Sequence, residues 1–147
     1  MTAAERKKQL HIVAEMLLVH LPAVLEDQAL ARDLLVVVSL AIRAAAADAE
    51  KSATAWDARA YHVRADALRR EWAWASGAAN YAAGLADRAG PLTAASLDKL
   101  RALIDVPLTQ PTRCRYKSLD AFRGAREATL AQAGRGGKRP LPKRSLV

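Results

Sequence analysis

Between Leu25 and Ala49 the chain carries an apolar stripe that a helix accommodates and a strand does not. Leu30, Leu34, Leu35, Val38 and Ile42 recur at threes and fours, and Val36 and Val37 broaden the stripe beyond one face. That spacing marks one side of an α-helix, and a helix apolar on more than one side has to be covered on more than one side. The segment is therefore expected to be the central helix of a bundle. The tract Ala44–Ala47 is its thin end, where a neighbour can approach closely.

The rest of the chain fits around such a helix. Thr2-Ala-Ala-Glu5 reads as a capping box opening a first helix, with Leu10, Val13, Met16, Leu17 and Leu21 on one face and a stop near Pro22. Thr54-Ala-Trp-Asp57 reads as a second helix start. The helix after it places Tyr61, Leu68, Trp72, Ala75 and Ala79 on one face, and Gly77 and Gly84 are places where it could split. Gly90-Pro91 is a firm stop. Thr93 then caps a short helix with Leu97, Leu100, Leu103 and Ile104 that ends before Pro107. Pro107 and Pro111 make 106–117 a loop, and Ser118 opens a last helix with Leu119, Phe122, Arg126 and Leu130, ending at Gly134.

Composition agrees with this order. Alanine, the best helix former, supplies much of the 52% apolar share, and aromatic residues are few. A chain of 147 residues is most simply one domain, able to bury roughly 70% of its unfolded surface. The expectation is an all-α, single-domain bundle of four to six helices over 1–133, followed by a flexible basic tail over 134–147. The longest apolar run, Leu34 to Ile42, is interrupted by Ser39, whereas a spanning helix needs about 20 residues. With one cysteine, no internal disulfide or cysteine zinc site, and no signal-peptide run before a cleavage site, a cytoplasmic protein away from membranes is expected.

Charge is divided unevenly. Residues 1–100 carry 12 Lys/Arg against 12 Asp/Glu, so the net charge of +8 falls in 101–147, where 11 cations face Asp105, Asp120 and Glu127. An offset confined to one region speaks of partners. Arg113, Arg115 and Lys117 flank Tyr116, whose ring could stack on an unpaired base, and Arg123 and Arg126 extend the patch. Arg101, Arg69 and Arg70 are second-tier contacts. The plainer alternative is a solvated basic face.

Other residues argue less for chemistry. Trp72 and Trp74, two apart on a continuous helix, would point about 200° apart, so either one of them is at a protein interface or the helix is sandwiched between two layers that bury both. His11 and Glu15 at i, i+4 could share a face, but neither Glu-x-x-His nor His-Glu-x-x-His occurs. No metal or other cofactor is expected. Cys114 has no histidine near it in sequence to serve as a base and reads as a small loop residue. Glycine-rich phosphate-binding motifs are absent, and no enzyme activity is expected.

The successive amphipathic helices of 2–133 and the arginine-rich Arg113–Arg126 region resemble the small subunits of CRISPR effector complexes. That resemblance implies a non-enzymatic bundle in antiviral defence, stacked in several copies along a crRNA-bound filament of larger subunits. Such copies line a positive groove for the target or displaced strand. Leu30-Ala-Arg-Asp-Leu34 and Arg64-Ala-Asp-Ala-Leu-Arg-Arg70 are also similar to segments of the four-helix-bundle accessory protein of diversity-generating retroelements. This second likeness implies a basic pentamer that binds a reverse transcriptase and its template RNA. The chain departs from it at Ala102-Leu-Ile-Asp-Val-Pro107, where that family has Gly-Trp. Both imply a ribonucleoprotein scaffold that contacts protein together with RNA or single-stranded DNA. A DNA-binding regulator ranks behind them, because 106–117 is too long and proline-rich for the tight turn such a motif needs.

Overall fold

The computed structural model describes the backbone of residues 3–138 and the side chains of 4–132. Helices make up its regular structure, with no strand among the described residues. Helix α1 (Ala3–Glu15) runs through a wider π-type turn (Met16–His20) into a last short piece, Leu21–Ala23. Helix α2 (Gln28–Ala58) follows, then α3 (His62–Glu71), α4 (Ala75–Asp87), α5 (Ala94–Leu103), a single 3₁₀ turn (Asp120–Phe122) and α6 (Ala125–Lys138).

Helix α2 is the axis of the molecule. Its 31 residues span about 46 Å. Asp27 caps its start, accepting from the Leu30 amide at 3.2 Å. Leu34, Leu35, Val38 and Ile42 are fully enclosed, and Leu30 and Val36 nearly so. Helix α1 covers one side with Val13, Met16, Leu17 and Leu21. Helix α4 lies along the other and presents Ala75, Ala78, Ala79, Ala82 and Ala86. Such short side chains let the two backbones approach, and Ser39 donates its hydroxyl to the Ala79 carbonyl at 3.0 Å in the buried seam. Leu97, Leu100 and Ile104 of the α5 region complete this core.

Arg32 fixes the far end of α4. Its guanidinium donates to the carbonyls of Leu85, Ala86 and Arg88 at 3.1, 3.2 and 2.6 Å, and to that of Gly90. Those carbonyls lack helical partners, and a cation there opposes the negative end of the helix dipole. Gly90 takes φ +95°, the left-handed conformation that the stop at Gly90-Pro91 requires.

Several expected boundaries move. Thr54-Ala-Trp-Asp57 does not begin a helix. It lies inside α2, where the Thr54 hydroxyl bonds Glu50 at 3.1 Å. The break falls at Ala60, which adopts φ 66°. The Tyr61 amide donates to the Trp56 carbonyl and the Ala60 amide to that of Asp57, which is the Schellman pattern with alanine in the glycine position. Ala49 and Ala53 of the extended α2 then pack against Ala65 and Leu68 of α3 in a second small cluster. Helix α3 ends at Trp72 and not at Gly77 or Gly84, both of which sit inside α4.

At the C-terminal end the helix expected from Ser118 is divided. The 3₁₀ turn is followed by Gly124 at φ +88°, and α6 starts only at Ala125. It continues to Lys138, past Gly134, so the expected tail overlaps a helix. The remainder of that tail, 139–147, and the Thr2 cap lie outside the described residues. No described helix is long and apolar enough to cross a membrane.

Candidate functional site

Residues 104–124 lie over helices α1 and α2 as an arm tied down by acids of the helical body. Glu15, at the end of α1, is 3% exposed. Its carboxylate accepts from the Arg115 amide at 2.7 Å and the Tyr116 amide at 2.9 Å. Asp33 of α2 accepts from the Gly124 amide at 2.9 Å and the Arg126 amide at 3.0 Å, capping α6 from another helix. In both cases the acid holds backbone, and the side chains of the arm are left to point where the local geometry sends them.

Exposure alternates along 113–117 as a result. Arg113, Arg115 and Lys117 are exposed, while Cys114 and Tyr116 are half-buried. None of the three cations forms an ion pair or side-chain hydrogen bond with a described residue. Tyr116 turns inward and meets Phe122 edge-on, with ring centroids 4.9 Å apart. The ring that the sequence offers as a stacking platform is thus packed against the core margin.

The other cations named from sequence are differently placed. Arg123 pairs with Asp27 at 2.7 Å and Asp120 at 3.5 Å, and Arg126 with Asp87 at 3.1 Å. The hydrogen bond from Arg123 holds the Asp27 carboxyl below its usual range, helped by the Leu30 amide. Arg69 bridges Glu50 at 3.0 Å, Asp57 at 2.8 Å and Asp66 at 3.5 Å, and the bonds to Glu50 and then Asp57 raise its already high pKa. Arg101 lies 3.7 Å from Asp98. Arg70 is exposed, with no partner among the described residues. The structure therefore leaves Arg113, Arg115 and Lys117 exposed on one short segment and ties Arg123 and Arg126 to the body. Arg69 and Arg70 stand on α3, away from the arm in sequence and in element.

Trp72 and Trp74 do not diverge. The helix breaks between Glu71 and Ala75, and the two rings stack with centroids 5.3 Å apart and planes at 30°. The expected 200° separation assumed a continuous helix, and the turn removes that assumption. Both rings are partly buried against the main core. Trp72 also borders a groove of about 500 Å³ with Arg43, Glu50, Arg69 and Ser76.

One constellation escapes a reading of the sequence. Glu15 also meets His20, whose Nε2 lies 2.7 Å from Glu15 Oε2. Burial works to raise the Glu15 pKa, but the bonds from His20 and from the Arg115 and Tyr116 amides prevail and hold it low. An ionised carboxylate only accepts, so His20 donates through Nε2. Residues five apart in a regular α-helix point about 140° apart. The π-type turn, in which the Leu21 amide reaches the Met16 carbonyl, brings both side chains to one face. Pro22 lies just beyond, with no amide of its own and a ring that crowds the Leu18 carbonyl, which accounts for the widening there. Cys114 completes the group: its sulfur, a ring nitrogen of His20 and a Glu15 oxygen all lie within 4.8 Å of one another. An adjoining pocket of about 510 Å³ runs between His11 and the arm residues 109–115. The partner of Cys114 is far away in sequence, and only the π-type turn, which no residue pattern announces, aims His20 toward it.

Comparison with protein-family models, with curated proteins and with solved structures gives no match.

Proposed function

We propose that this chain is a non-catalytic scaffold subunit of a cytoplasmic ribonucleoprotein that holds RNA or single-stranded DNA along the outer edge of its arm. The observation that carries the reading is that Arg113, Arg115 and Lys117 are all exposed on a short segment whose backbone Glu15 anchors. A cation held in place but not neutralised meets a phosphate without first breaking an ion pair, and each such contact releases condensed counterions. Arg123, Arg126, Arg69 and Arg101 already have carboxylate partners, so their part is to position the arm and the helix corners. Larger protein subunits would pack on the helical body, with the Trp72 groove as the surface offered to them. Assembly in several copies, as in a CRISPR effector small subunit, is the arrangement this division of labour fits first. The retroelement accessory role is the alternative, and native mass separates the two: a free pentamer supports the accessory, a chain that assembles only with other subunits supports the effector.

The test replaces Arg113, Arg115 and Lys117 together by alanine and follows binding of a single-stranded oligonucleotide across a salt series. Three lost phosphate contacts should lower the slope of log affinity against log salt by about 2. An unchanged slope and affinity would remove the arm from the interface.

A further inference from the structure

We propose that Glu15, His20 and Cys114 form a binding site for a zinc-type transition-metal ion, with its fourth position open to the pocket beside the arm. The donor set is a thiolate, an imidazole nitrogen and a carboxylate oxygen, which suits a borderline-soft divalent ion and not magnesium or calcium. The thiolate, the carboxylate and a dication sum to zero formal charge, so the loaded site is one unit more positive than the empty one, in which Glu15 alone is charged.

The geometry is close to what tetrahedral coordination asks. With metal–ligand bonds of about 2.0–2.3 Å, adjacent donor atoms sit roughly 3.3–3.6 Å apart. The Glu15–His20 contact of 2.7 Å has to open by about half an ångström, and the sulfur has to close from within 4.8 Å. Cys114 is in an irregular segment between Pro111 and Asp120 and is able to make that movement, whereas Glu15 and His20 are fixed on helix α1. Once His20 has moved its proton away, Glu15 Oε2 accepts only the Tyr116 amide among the described donors, which leaves it a lone pair for the ion. The two amides on this carboxylate orient it, as outer partners orient ligands in metal sites generally. On binding, the Cys114 thiol gives its proton to the buffer and the His20 ring moves its proton to the nitrogen away from the metal. A π-type turn inside a helix is frequently found at functional sites, and here it is what aims His20 at Glu15.

Such an ion would join helix α1 to the arm across a separation of about 100 residues, in addition to the hydrogen bonds already there. The reading is independent of nucleic-acid binding, and its test uses none. The full chain is stripped with a chelator, titrated with Co²⁺, and the Co²⁺ is then displaced by Zn²⁺. One equivalent of Co²⁺ is expected, with a thiolate-to-cobalt charge-transfer band in the near ultraviolet and a raised melting temperature. Cys114→Ser and His20→Asn should each abolish the band and weaken binding on the order of a hundredfold, with circular dichroism showing that both variants are folded. His11→Ala, at the far side of the pocket, should bind as the parent does. Absence of the band, or binding that survives Cys114→Ser and is lost in His11→Ala, overturns the site.

Discussion

The seam between α2 and α4 and the contact between the arm and α1 are held by opposite means. The seam is mostly enclosed alanine and leucine with the Ser39–Ala79 bond inside it, and Arg32 and Arg43 bond α4 only at its margins. The arm is held by carboxylates: Glu15 and Asp33 on backbone amides, Asp27 and Asp87 on the guanidinium groups of Arg123 and Arg126. Apolar burial is indifferent to salt and acid over ordinary ranges, while charge-assisted bonds are sensitive to both. The body is therefore the part that persists, and the arm is the part that conditions can loosen. The excess positive charge of the C-terminal region is also smaller in space than in sequence, because acids of the neutral region face it.

Leu34→Ala should have the largest effect, about 3 kcal/mol of lost stability, since the site is fully enclosed in the central helix. It should appear as lower cooperative unfolding of the whole chain in a denaturant titration. A loss confined to the arm would mean that the two regions do not share one core. Asp33→Ala should cost about 1 kcal/mol, the usual worth of a helix cap. Hydrogen exchange should locate it at Gly124–Arg126 and leave the Ala79 seam protected.

Much of this contrast was legible beforehand and part was not. The stripe from Leu30 to Ile42 places the central helix because it is buried over more than one face, with only Leu40 exposed and Arg32 and Val37 part-exposed. Thr93 caps α5 as its sequence suggests, accepting from the Ser96 amide. The end of α2 was hidden, because Ala60 carries no mark of a left-handed turn and the Thr54 motif imitates a start. The carboxylate pins were hidden for another reason: Glu15 and Asp33 sit in helices whose patterns read as complete, and their partners are amides about 100 and 90 residues away. A side chain that caps distant backbone leaves no local spacing to find. The same long reach brings Cys114 near His20.

Acid provides a smaller and more selective probe. Glu15 and Asp27 have folded-state pKa values below their ordinary ones. Their contribution is thus complete above the ordinary carboxylate range of about 4 and drains away as the pH falls through the lowered values. The amide resonances of Arg115 and Tyr116 should move only below about pH 4, while that of Ala79 stays in place. Movement of all three together would deny the arm its separate mode of attachment.

Glu15→Gln tests the account most directly. The amide group keeps one acceptor but turns an N–H₂ toward a donor, so one of the two arm amides loses its partner. Hydrogen exchange at Arg115 and Tyr116 is expected to quicken about tenfold or more, with the α2–α4 seam as protected as in the parent. Unchanged exchange at those two residues, or an equal loss of protection through both regions, would contradict it.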